Sequence, residues 1–343
     1  MDFNDFYKEY YKNIENELFI EKTNFLKELT SYSKSIKHLY IHLANTIDGG
    51  KRIRGALVLL GYQLSGGSNI KTALKGAIAY EIFQSAILIH DDVIDQSETR
   101  RGKKTIHFSL GNNHYGNSQA ICLGDIGFFW AVKLLNTANL EEKIKTKSVN
   151  EFLNVMIKTG IGEMLDIETP FFNSIQKSDI DAIHFFKTAE YSIIGPLKLG
   201  AIMANATNDI LLAIEKIGKS LGLAYQLKDD VLGVFSNAES IGKSTLSDIQ
   251  EKKITHLYLH ALENANSEDQ LTLKTIYTKN NITEKEVFLI KEIFNRSGSL
   301  KASNILIKEY IEVAKKDIED SPIESNFKHI LYTFSDFLQN RES

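Results

Sequence analysis

Aspartates cluster at the ends of two strongly apolar segments, where acidic side chains are unusual. Asp91, Asp92 and Asp95 end the first segment, and Asp229 and Asp230 end the second. If these segments are helices, their C-termini carry partial negative charge, so clustered carboxylates need a cation to offset them. A ligand set made of carboxylates alone is typical of magnesium shared with substrate phosphates. The aspartates therefore predict magnesium and a diphosphate, although either motif alone is also compatible with a solvated acidic helix end.

The spacing of the first motif indicates which carboxylates point inward. Ile87, Asp91 and Asp95 follow one another at intervals of four residues, so the two carboxylates extend an apolar stripe along the helix. Asp91 and Asp95 are therefore the expected metal ligands, one helical turn apart. Asp92 lies beside this stripe and is expected to support the metal site.

The second aspartate motif is weaker than the first. Gly233 stands where a third aspartate would complete the same pattern. We therefore expect Asp229 to be the main metal ligand of this motif. Asp230 and Gln226 are expected to support it, because they lie within one helical turn of Asp229 on the same helix.

Two clusters of basic residues accompany the aspartates. Arg100 and Arg101 follow the first motif, and Lys51 and Arg54 follow a glycine pair at 49–50. Guanidinium groups bind phosphate oxygens through two N–H groups, while glycine and a helix N-terminus let the backbone approach an anion. Both clusters therefore predict phosphate binding, the second without a metal ion. For the first cluster, the alternative is a solvated charged loop.

Later basic residues are weaker candidates for the same chemistry. Lys187 with Thr188, and then Lys243 and Lys253, each stand in a polar stretch of the chain. Any one of these lysines alone is typical of a solvated helix face. The sequence around Lys243 is similar to the end of a nucleotide-binding loop, but the first glycine and the preceding strand are missing, so nucleoside triphosphate binding is rejected.

Long helices must position these residues. Apolar residues recur at three- and four-residue spacing through most of the 343 residues, and the chain has only 3 prolines. No strand-turn-strand signal with Asn-Gly or Asp-Gly is present. The predicted fold class is therefore all-α. No stretch is long or polar enough to be an interdomain linker, so we predict one domain over 1–343.

Composition excludes several classes of protein. The net charge of −4 gives no general attraction to nucleic acid. A single cysteine, Cys122, excludes an intramolecular disulfide and a cysteine-rich metal site, and it suits a reducing cytoplasm. The N-terminal residues are charged throughout, unlike a signal peptide. We therefore expect a cytoplasmic protein that does not span a membrane or bind nucleic acid.

Five motifs together resemble the trans-isoprenyl diphosphate synthases, also called polyprenyl synthetases. They are GGKRIRG at 49–55, HDDVIDQSETRRG at 90–102, KTAEY at 187–191, YQLKDD at 225–230 and GKSTLSDIQEKKIT at 242–255. The resemblance implies an all-α bundle around a central active-site cavity, usually in a homodimer. It also implies three magnesium ions that bridge an allylic diphosphate to the two aspartate motifs, and condensation with isopentenyl diphosphate. Among the members of the family, the sequence is most similar to geranylgeranyl diphosphate synthases.

The resemblance assigns roles residue by residue. Asp91 and Asp95 hold two magnesium ions and Asp229 the third. The positions that contact the allylic diphosphate are matched by Arg100, Lys187, Thr188, Gln226, Lys243 and Lys253, and those that hold isopentenyl diphosphate by Lys51, Arg54, Gln84 and Arg101. The expected catalytic residues are Asp91, Asp95, Arg100, Lys187 and Asp229. The sequence departs from the family pattern in Gly55 for a proline, Gly233 for an aspartate and Lys252 for a glycine.

The helix that carries the first motif also predicts the product length. Phe83 lies eight residues before Asp91, which is about 12 Å along a helix. Ala86 is small where short-chain members often carry an aromatic residue, and Ile87 lies one turn from Asp91. We therefore expect elongation past fifteen carbons and a stop at Phe83, giving geranylgeranyl diphosphate. Ordinary core packing is the alternative role of Phe83.

Other activities remain open at this point. The same reaction could give farnesyl diphosphate or a longer polyprenyl diphosphate. A class I terpene cyclase also uses an aspartate-rich helix, but it has no need for the isopentenyl-binding residues Lys51, Arg54 and Arg101. A non-catalytic subunit of a heteromeric synthase is expected to have lost its aspartates, whereas this sequence retains both motifs.

Overall fold

Helices make up nearly all of the protein. The computed structural model describes residues 1–172, 174–235, 247–279 and 281–341. Within these ranges, the only strands are the two-residue strands β1 (Thr99–Arg100) and β2 (Lys103–Lys104). The prediction of an all-α fold is confirmed.

The helices follow one another with short connections. In chain order they are α1 Phe3–Tyr32, α2 Lys37–Thr46, α3 Ile53–Leu64, α4 Ile70–Ile94, α5 Ile106–Ser109, α6 His114–Asn136, α7 Glu142–Glu168, α8 Lys177–Ile183, the π-helix His184–Ile194, α9 Gly195–Met203, α10 Asn208–Phe235, α11 Ser247–Gln250, α12 His256–Asn264, α13 Ser267–Tyr277, α14 Glu284–Arg296, α15 Ser299–Asp320 and α16 Ser325–Asn340. A 3₁₀ turn, Thr169–Phe171, follows α7.

The chain divides into two compact units, which are described separately. The first comprises Met1–Asn154, Gly195–Leu212 and Pro322–Ile330, and the second comprises the remaining segments, Val155–Ile194, Ala213–Ser321 and Leu331–Ser343. The single domain over 1–343 stays a prediction.

The core of the first unit is built around α4. This helix packs along α6 and α3, and α3 in turn packs along α9. Tyr80 and Phe83 of α4 are fully buried, and both rings contact Phe152. The burial agrees with the sequence pattern, in which α4 is apolar on nearly every side. Its polar C-terminal end is thus attached to the most firmly packed element of this unit.

The hairpin after α4 was not predicted. Its loop, Arg101-Gly102, has positive φ at both residues (52° and 72°), as a two-residue type I′ turn requires. Glycine suits the second position, but the Arg-Gly pair and the two-residue strands give too weak a signal to read from the sequence. The hairpin fixes the direction of Arg100, since β1 pairs Arg100 with Lys103.

One described helix, α6, is long and apolar enough to cross a membrane, judged by length and composition alone. In the window that meets this criterion, 44% is buried inside the protein, and α6 packs along α4. Core helices of soluble proteins meet the same criterion, so α6 is weak evidence for a membrane span.

Candidate active site

The C-terminal end of α4 presents a half-buried polar stripe. Gln84, Ile87, Asp91 and Asp95 are all partly exposed, whereas Phe83 on the adjacent face is buried. Their spacing of three or four residues places them on one side of the helix. The predicted stripe is therefore present as a helix face whose carboxylates and apolar residues are both accessible.

Arg100 binds the first aspartate motif directly. Its Nε donates to Asp92 Oδ1 and its Nη2 donates to Asp91 Oδ2, both at 2.6 Å. Burial alone would lower the pKa of the Arg100 guanidinium, but the charges of Asp91 and Asp92 outweigh it and raise the pKa. Arg100 is therefore a permanent cation that bridges two neighbouring carboxylates.

Arg101 points to a different partner. Its Nη1 donates to the backbone carbonyl oxygens of Asp48, at 3.0 Å, and Thr46, at 3.4 Å, at the end of α2. A cavity of about 360 Å³ lies in this unit, and its lining includes Asp92, Arg100 and Arg101. The other predicted isopentenyl-binding residues, Lys51, Arg54 and Gln84, are absent from that lining.

The basic segment 51–55 leads into α3 and forms its first turn. Lys51 is exposed and Arg54 is half-buried, as residues that meet a ligand must be. Arg52 between them is only 2% exposed and turns into the protein, where it pairs with Glu15 and Glu81. Sequence reasoning did not single out Arg52 or Glu81, because neither a charge pattern nor helical spacing links positions so far apart.

In the second unit, the π-helix carries Lys187 and Thr188. A Cβ on Gly162 of α7 would lie 2.3 Å from the backbone nitrogen of Lys187, and one on Gly222 of α10 would lie 2.4 Å from Ala189 Cα. Two glycines therefore let α7 and α10 approach the π-helix closely. π-Helical segments frequently occur at functional sites.

Lys187 pairs with two carboxylates of α7. Its Nζ lies 2.6 Å from Asp166 Oδ2 and 2.8 Å from Glu163 Oε2. Sequence reasoning missed both acids. Their spacing of three residues on one helix was the available signal. The contacts fix where the ammonium group is held.

Thr188 belongs to a part-buried hydrogen-bond chain. Its hydroxyl donates to Gln226 Oε1, and Gln226 Nε2 donates to Asp230 Oδ1 at 2.7 Å. Asp230 Oδ2 lies 3.1 Å from His184 Nε2. The structure thus brings together three residues that were predicted from separate motifs, and it adds His184, which was not predicted.

Asp229 pairs with an arginine from the end of the chain. The Arg341 guanidinium donates to Asp229 Oδ1 and lies over the Tyr225 ring, 4.2 Å from its centroid. Burial would lower the pKa of Arg341, but Asp229 and Tyr225 raise it overall. No sequence pattern predicts this contact, which joins residues 112 positions apart.

The remaining predicted residues follow α10. Lys253 Nζ lies 2.8 Å from Glu251 Oε2, and Lys243 lies outside the described residues. Lys252 has φ 57°, in the left-handed region that favours glycine. This conformation gives a physical reason for the glycine that is usual at this position in the resembling family.

Comparisons with known proteins identify similar sequences over most of the chain. The sequence profile of the polyprenyl synthetase family matches residues 34–295. A short chain isoprenyl diphosphate synthase of Methanothermobacter thermautotrophicus is 32% identical over 86% of this chain and 87% of its own length. A geranylgeranyl diphosphate synthase of Saccharolobus solfataricus is 27% identical over 92% of this chain and 91% of its own.

A solved structure is similar over nearly the whole chain. It is a geranylgeranyl pyrophosphate synthase from Corynebacterium glutamicum, complexed with isoprenyl diphosphate and magnesium. It has a TM-score of 0.89 and 27% identity, covering 99% of this chain and 100% of that one. On the family match and the level of identity, the chain belongs to the polyprenyl synthetase family.

Proposed function

We propose that the protein is a magnesium-dependent prenyltransferase that condenses isopentenyl diphosphate with an allylic diphosphate, head to tail and in trans, to give geranylgeranyl diphosphate. The observation that carries the proposal is the cluster of Arg100 with Asp91 and Asp92, a cation and carboxylates held together at an accessible helix end. Relatives named as geranylgeranyl and short chain isoprenyl diphosphate synthases support this activity.

The donor groups fit magnesium bound together with a diphosphate. Within the described ranges, no three histidine, cysteine or acidic side chains converge to hold a metal ion by themselves. Magnesium usually takes one or two carboxylates and completes its shell with water and substrate phosphate oxygens. We assign two ions to Asp91 and Asp95, with Asp92 supporting them, and a third to Asp229, with Asp230 supporting it.

The bound ions would neutralise the charge that develops on the departing pyrophosphate. By the family resemblance, the residues assigned to the allylic diphosphate are Arg100, Lys187, Thr188, Gln226, Lys243 and Lys253. Lys51, Arg54, Gln84 and Arg101 are assigned to isopentenyl diphosphate. Preorganised cations of this kind stabilise a transition state without reorganising during the reaction.

The chain's own apolar residues protect the reaction from water. Once the allylic bond ionises, the isopentenyl double bond attacks the carbocation, and the released pyrophosphate takes the proton that is lost. No protein general base is required in this sequence. Ile87, half-buried one turn from Asp91, lies where an apolar side chain keeps water from the cation.

The product length is assigned to α4. Phe83 is 1% exposed, and its ring contacts Tyr80, Phe128 and Phe152, which makes it part of a rigid aromatic layer. Such a layer supports a stop to elongation at twenty carbons. Ala86 has a second role, since a Cβ on Gly127 would lie only 2.8 Å from Ala86 Cβ. Its small size therefore serves the close packing of α4 against α6 as well.

We also propose that the protein works as a homodimer of single-domain chains in the cytoplasm. Exposed apolar side chains on two helices support self-association, namely Ile121 and Phe129 on α6 and Ile157, Ile161 and Met164 on α7. Neither nucleic acid nor a membrane is a proposed partner.

One assay tests the proposal. Purified protein is incubated with magnesium, radiolabelled isopentenyl diphosphate and each allylic primer in turn, and the products are sized after dephosphorylation. A twenty-carbon product is expected. Shorter or longer products would indicate a farnesyl or longer polyprenyl synthase. A cyclic product from the allylic substrate alone would indicate a terpene cyclase. No elongation with any primer would contradict the proposed activity and indicate a non-catalytic subunit of a heteromeric synthase.

A further inference from the structure

A buried carboxylate contacts the basic segment 51–55, which leads into the first turn of α3. Glu81 of α4 is 1% exposed, and its Oε1 accepts a hydrogen bond of 2.8 Å from the backbone N–H of Gly55. Its Oε2 lies 3.4 Å from Arg52 Nη1. A buried carboxylate is costly unless a cation and hydrogen bonds compensate it. Arg52 supplies the cation and the Gly55 N–H supplies the hydrogen bond, so Glu81 contacts this segment at two points.

Arg52 reaches Glu81 because its backbone is left-handed. Its φ of 54° lies in the left-handed region, which is sparsely populated for residues other than glycine. The guanidinium also donates to the backbone oxygen of Ile47 at 2.6 Å and pairs with Glu15 of α1. Burial would lower the pKa of Arg52, but Glu81 and Glu15 raise it overall. The left-handed conformation is thus held by two buried contacts, with Glu81 and Ile47, and by a part-buried one with Glu15.

The N-terminal helix α1 also forms a hydrogen bond with this segment. The Tyr7 hydroxyl of α1 donates to the backbone oxygen of Lys51 at 2.6 Å. Burial, reinforced by Tyr11 and Glu81, raises the pKa of Tyr7 to about 12, so the hydroxyl keeps its proton at neutral pH. Lys51 is therefore fixed through its backbone while its side chain stays exposed.

Gly55 is one of the positions at which this chain departs from the family pattern. A proline there has no N–H and could not donate to Glu81. A Cβ at this position would lie 3.2 Å from Ile14 Cδ1, 3.3 Å from the backbone oxygen of Ala77 and 3.3 Å from Glu81 Cγ, closer than most Cβ contacts. Glycine therefore eases the close approach of α3 to α4, and its N–H is the feature that the Glu81 contact uses.

From these contacts we infer that Glu81 is a positioning residue for isopentenyl diphosphate. It acts through Arg52, which lies between the proposed ligands Lys51 and Arg54, and through Gly55, which follows Arg54. These contacts fix the backbone from which both ligand side chains reach the substrate. The inference rests on the proposed function. It concerns only the isopentenyl diphosphate, because the four residues form one segment, 51–55, that the allylic assignments do not include.

The test is Glu81→Gln in the full-length protein. Glutamine can still accept from the Gly55 N–H but cannot neutralise Arg52. We expect the KM for isopentenyl diphosphate to rise about tenfold, the scale of one lost charged hydrogen bond. The KM for the allylic primer should stay within about twofold. Calorimetric binding of isopentenyl diphosphate should weaken in parallel. Arg52→Lys, which keeps the charge but loses the forked contacts, should give the same split.

Two comparisons separate positioning from general destabilisation. Gly55→Ala retains the N–H and Gly55→Pro removes it, so a higher KM for isopentenyl diphosphate in the proline variant measures this hydrogen bond. Asp269→Asn removes a different buried carboxylate, one paired with Arg296. It should lower the melting temperature without moving either KM.

The outcomes distinguish the two claims. A wild-type protein that forms no prenyl product overturns the proposed function together with this inference. A wild-type protein that forms product, while Glu81→Gln and Arg52→Lys keep its KM and binding constant for isopentenyl diphosphate, overturns the inference alone. An equal rise in both KM values would also overturn it, because Glu81 would then support the whole unit.

Discussion

Replacing Arg341 with glutamine is expected to strengthen magnesium binding at Asp229. The guanidinium, with its side chain 11% exposed, contacts Asp229 Oδ1. A magnesium ion held by Asp229 would either displace Arg341 from this oxygen or bind beside its positive charge, and both weaken the binding of the ion. Glutamine retains much of the length of the side chain but removes its charge.

The size of the effect follows from the contacts that magnesium has to break. A charged hydrogen bond contributes about 1.5 to 3 kcal/mol, and a guanidinium over an aromatic ring adds about 0.5 to 1 kcal/mol at a partly exposed site. Asp229 is 33% exposed, so solvent screens the pair and the lower end applies. The two lower ends together are about 2 kcal/mol, which corresponds to roughly a 30-fold lower magnesium concentration at half saturation.

The assay is a titration of the protein with magnesium in the presence of inorganic pyrophosphate, followed by calorimetry. Arg296→Gln is the matched control, because Arg296 also pairs with an aspartate, Asp269. That variant should leave the magnesium titration unchanged. An unchanged or weaker magnesium affinity in Arg341→Gln would refute the reasoning, since Arg341 would then assist the bound diphosphate instead of competing with the ion.

Three further substitutions test other parts of the site. Arg100→Gln should lower kcat/KM for the allylic primer at least about 100-fold, because it removes a cation aimed at the leaving group; steady-state kinetics measures this. Phe83→Ala should lengthen the product beyond twenty carbons while costing about 3 to 5 kcal/mol of stability; an unchanged product length in stable protein would contradict the assignment. Gly162→Ala should raise the KM for the allylic primer, because its Cβ would press on the backbone nitrogen of Lys187 at 2.3 Å; an unaltered KM would show that the π-helix adjusts freely.

The helical fold and the shared face of Asp91 and Asp95 could be predicted because they depend on local spacing. Helical periodicity places Asp91 and Asp95 on one face of α4, and the structure has them there. The grouping of Thr188 with Gln226 and Asp230 also agrees with the motifs, although the hydrogen bonds among them arise from packing of the π-helix on α10.

What the sequence did not reveal depends on backbone direction and on distant contacts. The sign of φ at Arg52 sends its side chain inward, while Lys51, its neighbour, stays exposed. A basic run in a sequence looks uniform, so this difference is invisible before the backbone is known. Arg341 and Glu81 meet their partners through tertiary packing, which no local pattern records.

The hairpin of β1 and β2 carries two neighbouring residues that are assigned to different substrates, Arg100 to the allylic diphosphate and Arg101 to isopentenyl diphosphate. Arg100 holds the end of α4, and Arg101, the next residue, holds the end of α2. If a diphosphate that draws Arg100 away from Asp91 also moves the backbone of Arg100, the adjoining residue Arg101 moves with it. Such coupling is reciprocal, because each substrate changes the affinity for the other by the same factor. A coupling free energy would then contribute to the binding of both substrates. Neither dissociation constant would be a property of one subsite alone.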